Sequence, residues 1–124
     1  MTKLLAVVIL FASFMQSGCW QKDVNRSYYP SGNIRTEATV RKGLMDGPAT
    51  MFYDNGLKMS EAIYRAGLLD GKTASYYEDG AKKAEAEYKD GVLHGTSINW
   101  LKDGGEHSRA IFFMGVLQRE SKVK

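Results

Sequence analysis

One cysteine, two histidines and no surplus of either charge sign mark what this chain lacks, and each shortage excludes something. A lone thiol, Cys19, closes no internal disulfide. The histidines, His94 and His107, stand too far apart for the i, i+2 or i, i+4 spacing of a metal pair, and a Cys-His nucleophile is excluded because Cys19 lies in a processing-type motif. Seventeen Lys and Arg against fourteen Asp and Glu leave a formal charge of +3, scattered rather than blocked. That excess is no electrostatic footprint for nucleic acid. Long hydrophobic runs are missing after the start of the chain, and the one at the start, Leu4 to Phe14, is too short to span a hydrocarbon core of about 30 Å as a permanent helix.

That first run reads as an address. Met1-Thr2-Lys3 is a basic lead, the apolar run follows, and Met15-Gln16-Ser17-Gly18-Cys19 closes it with small residues. Export is the expectation. Ser17-Gly18-Cys19 resembles a bacterial lipobox, which implies cleavage before Cys19 and a lipid-modified, membrane-anchored mature protein; a soluble periplasmic or secreted form is the alternative. Gln16 departs from that pattern, where an aliphatic residue is usual. The expected organisation is a signal peptide over 1–18, a lipid-anchor linker over 19–27, a repeat domain over 28–118 and a tail over 119–124.

What the chain has in abundance is repetition. Tyr28-Tyr29-Pro30-Ser31-Gly32, Phe52-Tyr53-Asp54-Asn55-Gly56, Tyr76-Tyr77-Glu78-Asp79-Gly80 and Trp100-Leu101-Lys102-Asp103-Gly104 recur every 24 residues. A second series interleaves with them: Gly43-Leu44-Met45-Asp46-Gly47, Gly67-Leu68-Leu69-Asp70-Gly71, Gly91-Val92-Leu93-His94-Gly95 and the start of a fourth copy at Gly115. Two motifs in step over this length imply a quasi-one-dimensional array whose units pack on their neighbours.

Each repeat reads as a β-hairpin. Ala38, Ala62, Ala86 and Ala110 form one column, with Val40, Tyr64, Tyr88 and Phe112 two residues on; Phe52, Tyr76 and Trp100 form another, preceded by Thr50, Ala74 and Ile98. Period-2 apolar columns bounded by glycine and turn residues predict strands. If Phe52 shares a face with Ala62 and Tyr64, paired positions have equal parity and the loop holds an odd number of residues. Asp54-Asn55-Gly56 and its equivalents then form three-residue loops in which Gly32, Gly56, Gly80 and Gly104 take the left-handed position of a G1 bulge. The glycine-bracketed triplets of the second series are read as a further set of three-residue turns. The expected fold is all-β: a single-layer antiparallel meander of about eight strands. Its aromatic ladder, with Tyr64, Tyr76, Tyr88 and Trp100 on one face, is the candidate partner-binding surface, because aromatics dominate interface hot spots. The alternative is that strand curvature and neighbouring rings close that face.

The tyrosine pair followed by x-x-Gly, a strand holding Glu-Ala-x-Tyr, and Gly-x-Leu-x-Gly together resemble the bacterial MORN-repeat variant that builds the YwqK-type antitoxin family. The resemblance covers about residues 28 to 117. It implies repetitive β-sheet proteins without known catalysis, some of them antitoxins to polymorphic toxins, so it implies a protein partner, with a toxin as one candidate. Antitoxins of that kind are expected in the cytoplasm, and an export signal points instead to an envelope immunity or scaffold role.

No cofactor, metal site or catalytic residue is expected. His94 takes the column of Asp46 and Asp70, where a polar turn residue suffices, and His107 shares a column with Arg35, Met59 and Lys83 at the solvent edge. Glu37, Glu61 and Glu85 fall roughly 9–10 Å apart on alternate strands, a separation that inverting glycosidases use. Arg41, Arg65 and Lys89 along the same strand faces keep those carboxylates ionised and paired, and a pattern that occurs three times argues against a singular active site. The chain is therefore read as a non-catalytic binding protein, with a structural envelope scaffold on a membrane or cell-wall surface as the alternative.

Overall fold

A computed structural model describes residues 21–123; the signal-like segment and Cys19 lie outside the described residues. Nine strands form one open antiparallel sheet in sequence order: β1 (Asp23–Tyr28), β2 (Ile34–Arg41), β3 (Leu44–Phe52), β4 (Lys58–Arg65), β5 (Leu68–Tyr76), β6 (Lys82–Lys89), β7 (Val92–Trp100), β8 (Glu106–Phe113) and β9 (Val116–Lys122). The meander has nine strands rather than about eight because the sheet overruns the expected 28–118 at both ends. Val24 and Arg26 of β1 pair with Thr39 and Glu37 of β2, and Arg119 and Glu120 of β9 pair with Ile111 and Ala110 of β8.

The three-residue loops form as their sequence dictates. Gly56 N–H donates to the Tyr53 carbonyl at 2.9 Å, Tyr53 N–H donates to the Leu57 carbonyl at 2.8 Å, and the same pair of bonds recurs around Gly32, Gly80 and Gly104. Those four glycines stand at φ between 85° and 93°, a left-handed conformation that glycine adopts without a Cβ penalty.

The second series of turns is built differently from the expectation. Arg41 pairs with Leu44, Arg65 with Leu68, Lys89 with Val92 and Phe113 with Val116, so each connection is two residues long: Lys42-Gly43, Ala66-Gly67, Asp90-Gly91 and Met114-Gly115. Both residues of every turn have positive φ, as a type I′ turn requires, and that turn matches the right-handed twist of its strands. Gly47, Gly71 and Gly95, taken as the far brackets of those loops, instead lie inside β3, β5 and β7.

The register also overturns the single aromatic face. Loop closure pairs Phe52 with Lys58, positions of equal parity, but the next pair is Met51 with Ser60: Met59 is an extra residue on β4. Arg35, Lys83 and His107 are the equivalent bulges on β2, β6 and β8. Each one-residue slip reverses parity, and partners across an antiparallel ladder share a face. Tyr64 and Tyr88 therefore stand with the alanine column, on what is called here the alanine face. Tyr76 and Trp100 stand on the other, with Glu61 and Glu85, on the charged face.

Among the described residues no second layer covers either side. Ile98, at 9% exposure, is the only hydrophobic residue in the buried class among the described residues. The units are tied instead along the two long edges. Tyr29, Tyr53 and Tyr77 each donate a phenol hydrogen bond to the backbone carbonyl of Phe52, Tyr76 and Trp100 in the following hairpin, at 2.7, 2.8 and 3.1 Å. On the opposite edge, the N–H groups of Gly67, Gly91 and Gly115 donate to the carbonyls of Met45, Leu69 and Leu93 at 2.7–2.8 Å.

Candidate functional site

On the charged face, between β3 and β6, lies a groove of about 290 Å³ lined by Pro48, Ile63, Ala74 and Tyr76 and edged by Glu61, Lys72, Lys82 and Glu85. The strands place these side chains by alternation: Glu61 and Ile63 on β4, Lys72, Ala74 and Tyr76 on β5, and Glu85 on β6 share this face through the pairs Glu61–Ala74, Ala74–Glu85 and Tyr76–Lys82.

Glu61, Lys82 and Glu85 are held in ion pairs, and Lys72 makes none among the described residues. Glu61 accepts a hydrogen bond from Lys58 Nζ at 2.6 Å and another from the Tyr76 hydroxyl at 2.5 Å. The lysine bond first, and the tyrosine bond second, hold the Glu61 carboxyl below the usual carboxylate range. The same bond pushes the Tyr76 phenol up to about 12. Glu85 is likewise held low, chiefly by Lys82 Nζ at 2.8 Å, and that ammonium also lies 5.4 Å from the centre of the Trp100 ring. In the last repeat the signs are exchanged: Glu106 stands where Lys58 and Lys82 stand, Arg109 replaces the glutamate, and the pair still forms, Arg109 donating from Nε and Nη2 at 3.0 and 2.8 Å. The repeats thus keep the ion pair while exchanging the sign at each position.

The glutamate column pairs differently from the expectation. Glu37 meets Arg26 of β1 at 2.6 Å, while Arg41 and Arg65 turn to Asp46 and Asp70 at 2.9 and 3.1 Å. Asp70, its side chain 7% exposed, also has Lys89 Nζ at 3.3 Å. In the next copy His94 stands for Asp70 and Phe113 for Lys89, and that ion pair gives way to two rings 5.2 Å apart. His94 Nδ1 accepts from Met114 N–H at 3.4 Å, just as Asp46 Oδ1 accepts from Ala66 N–H at 3.4 Å. His107 is one of the four bulge residues. Among the described residues no group of three or more His, Cys, Asp or Glu is placed to hold a metal ion.

Of the four aromatics expected on one surface, the structure brings together Tyr76 and Trp100 and sets Tyr64 and Tyr88 on the reverse. Lys72, Lys82, Ile63 and Pro48, which complete the groove, were not singled out in the sequence. The exchange of Lys-x-x-Glu for Glu-x-x-Arg between the third and fourth copies was a legible sign that these positions touch.

Two stretches, residues 24–42 and 69–90, match the family model of the MORN repeat variant. Those two stretches are MORN-type repeats. Each matched stretch runs through an odd-numbered strand, a three-residue loop and the following even-numbered strand, β1–β2 in one case and β5–β6 in the other. The unmatched hairpins β3–β4 and β7–β8 repeat the same loop bonds and the same one-residue slip, so the same hairpin unit recurs through the sheet. Repeats of this kind commonly mediate protein or membrane interactions and are generally non-enzymatic. Comparison with curated proteins finds no match. Among the described residues no helix is long and apolar enough to cross a membrane.

Proposed function

We propose that this is an exported, lipid-anchored, non-catalytic repeat protein that binds a protein partner through its charged face, in an immunity or antitoxin role within the cell envelope. The groove carries this reading. An apolar floor of Ile63, Pro48 and Ala74, the Tyr76 ring and a rim of charged side chains, with Trp100 outside the groove against Lys82, reproduce the apolar centre and polar border of a protein interface. Carboxylates held ionised and a phenol held protonated suit fixed recognition contacts and leave neither poised to exchange a proton near neutral pH.

The test is partner capture from an envelope extract with the parent protein and with Tyr76→Ala and Trp100→Ala, each first shown by circular dichroism to be folded. Loss of the same captured protein from both variants is the expected result; equal capture by folded variants overturns the groove as the site. Anchoring is tested separately. Cys19→Ser should leave the membrane fraction, and the parent should lose residues 1–18 and gain the mass of attached lipid.

A scaffold on a membrane or cell-wall surface is the second reading, favoured by one observation. Leu44, Leu68, Val92 and Val116 stand exposed in a row beside the type I′ turns, and the last turn adds Phe113 and Met114 at 61% and 62% exposure, where earlier copies carry Arg or Lys and Lys, Ala or Asp.

A further inference from the structure

We propose that the alanine face is a homodimer interface, across which two copies of this chain stack sheet against sheet and leave both charged faces outward. At the paired positions from β2 to β8 this face carries no charged residue. Thr36, Ala38 and Val40 of β2 are followed by Ala49 and Met51, Ser60, Ala62 and Tyr64, Thr73 and Ser75, Ala84, Ala86 and Tyr88, Ser97 and Asn99, then Ser108, Ala110 and Phe112. Charges stand at its margins: Asp23 of β1 pairs with Val40, Glu120 and Lys122 of β9 pair with Ala110 and Ser108, and Arg35 and Lys83 are bulge residues at the three-residue-loop edge, 5.8 and 5.7 Å from the rings of Tyr29 and Tyr77. Every ion pair of β2 to β8 is on the other side. Such segregation is not needed by a sheet wetted on both faces, and it removes the largest cost of covering this one.

The remaining polar atoms are partly satisfied within the sheet already. Thr73 Oγ1 donates to the Ala86 carbonyl at 3.3 Å, and Asn99 Nδ2 donates to Ser108 Oγ at 3.1 Å. Tyr29, Tyr53, Tyr76 and Tyr77 donate phenol hydrogen bonds within the chain, whereas among the described residues no acceptor serves Tyr64, Tyr88 or the exposed Tyr28. A facing floor of serine and threonine hydroxyls would supply one.

The relief is self-complementary. Tyr64 and Tyr88 flank a trough of about 380 Å³ floored by Thr73, Ser75, Ala84 and Ala86, and a second hollow of about 290 Å³ lies beyond Tyr64 around Ala38, Ala49 and Ala62. Ridges and hollows on one surface are what a two-fold, isologous contact needs. Two sheets of identical twist stack aligned, about 10 Å apart and rotated by about 30°. Seven strands spaced by about 4.8 Å, covered over about six residues each, present roughly 600 Å² of projected area per copy, in the range of the roughly 800 Å² of accessible surface that a standard stable interface buries per partner.

The test uses the full chain in mild detergent at micromolar concentration, with mass read by light scattering corrected for bound detergent. A mass of two chains is expected, and Ala86→Arg, which puts a charge on a site already open in the single copy, should return it to one chain with an unchanged circular dichroism spectrum. Ala86→Cys treated with a short bismaleimide should give a covalent dimer above the background of the parent treated alike, and Lys72→Cys on the charged face should not. A one-chain mass for the parent overturns the proposal. So does cross-linking of Lys72→Cys as readily as Ala86→Cys, or capture of a different protein by Ala86→Cys. Should Ala86→Arg fail to fold, the two cysteine variants decide alone. The proposal is independent of partner capture: Tyr76→Ala and Trp100→Ala should leave the mass at two chains.

Discussion

Tyr76 and Glu61 share one hydrogen bond at 2.5 Å, and it shapes the chemistry of both groups. The phenol, raised to about 12 from the ordinary 10, keeps its proton more firmly in the folded state than in the unfolded chain. Its contribution to stability is therefore complete below about pH 10 and lost as the pH climbs towards about 12. Glu61→Gln should bring the Tyr76 ionisation back towards 10, as followed by tyrosinate absorbance against a Tyr76→Phe blank; an unmoved midpoint would mean that the bond is absent in solution. Gly56 shows a different residue-level constraint. A Cβ built there meets nothing within 4 Å, yet φ is 85°, so substitution costs conformation and not space. Gly56→Val should lower unfolding stability by roughly 1–2 kcal/mol or more in denaturant titration. At Gly95 both costs apply, since φ is 107° and an added Cβ would lie 2.6 Å from Glu87 Oε2 and 3.1 Å from Glu87 Cβ.

The hairpin is the element on which the array depends, and its contacts to the next hairpin are specific bonds as well as strand pairing. Tyr53 donates to the Tyr76 carbonyl 23 positions on, and the corresponding position in the fourth copy is Leu101, beyond which no described hairpin follows. Tyr53→Phe removes the hydroxyl and leaves the ring, and should cost about 0.5–1.5 kcal/mol, the net worth of one hydrogen bond. A loss on Tyr53→Phe indistinguishable from zero would show that strand pairing alone couples the units. The edge strand β9 carries Arg119, Glu120 and Lys122, charges that discourage further strand addition.

At the scale of the molecule, a sheet with no covering layer has no centre whose loss unfolds everything else. Stability should grow unit by unit through nearest-neighbour contacts. Deleting residues 57–80 joins Gly56 to Ala81, positions that follow one another in the repeat frame, and should leave a folded seven-stranded sheet. Urea unfolding should then show a lower midpoint and a smaller m value, because less surface is exposed. Loss of the β-sheet circular dichroism signal in the shortened chain would show instead that the array folds only as a whole.

Repetition, turn glycines and alternation were local properties, and local properties are legible along a chain. They determined the strands, the 24-residue unit and the left-handed glycines of the three-residue loops, because a positive φ is demanded by the loop itself and by nothing distant. The second turn was misplaced because Leu44-Met45-Asp46 between glycines resembles a loop, whereas the strand begins at Leu44 and the turn uses Lys42 at φ 50°, a conformation no residue type announces. The face on which Tyr76 and Trp100 stand was decided by the tertiary structure alone. A single extra residue at Met59, and again at Lys83 and His107, reverses parity across the ladder, and whether a strand takes that bulge depends on how its neighbour pairs. The sequence by itself determined a repeating sheet; pairing between strands decided which side of it bears the charged groove and which side bears none.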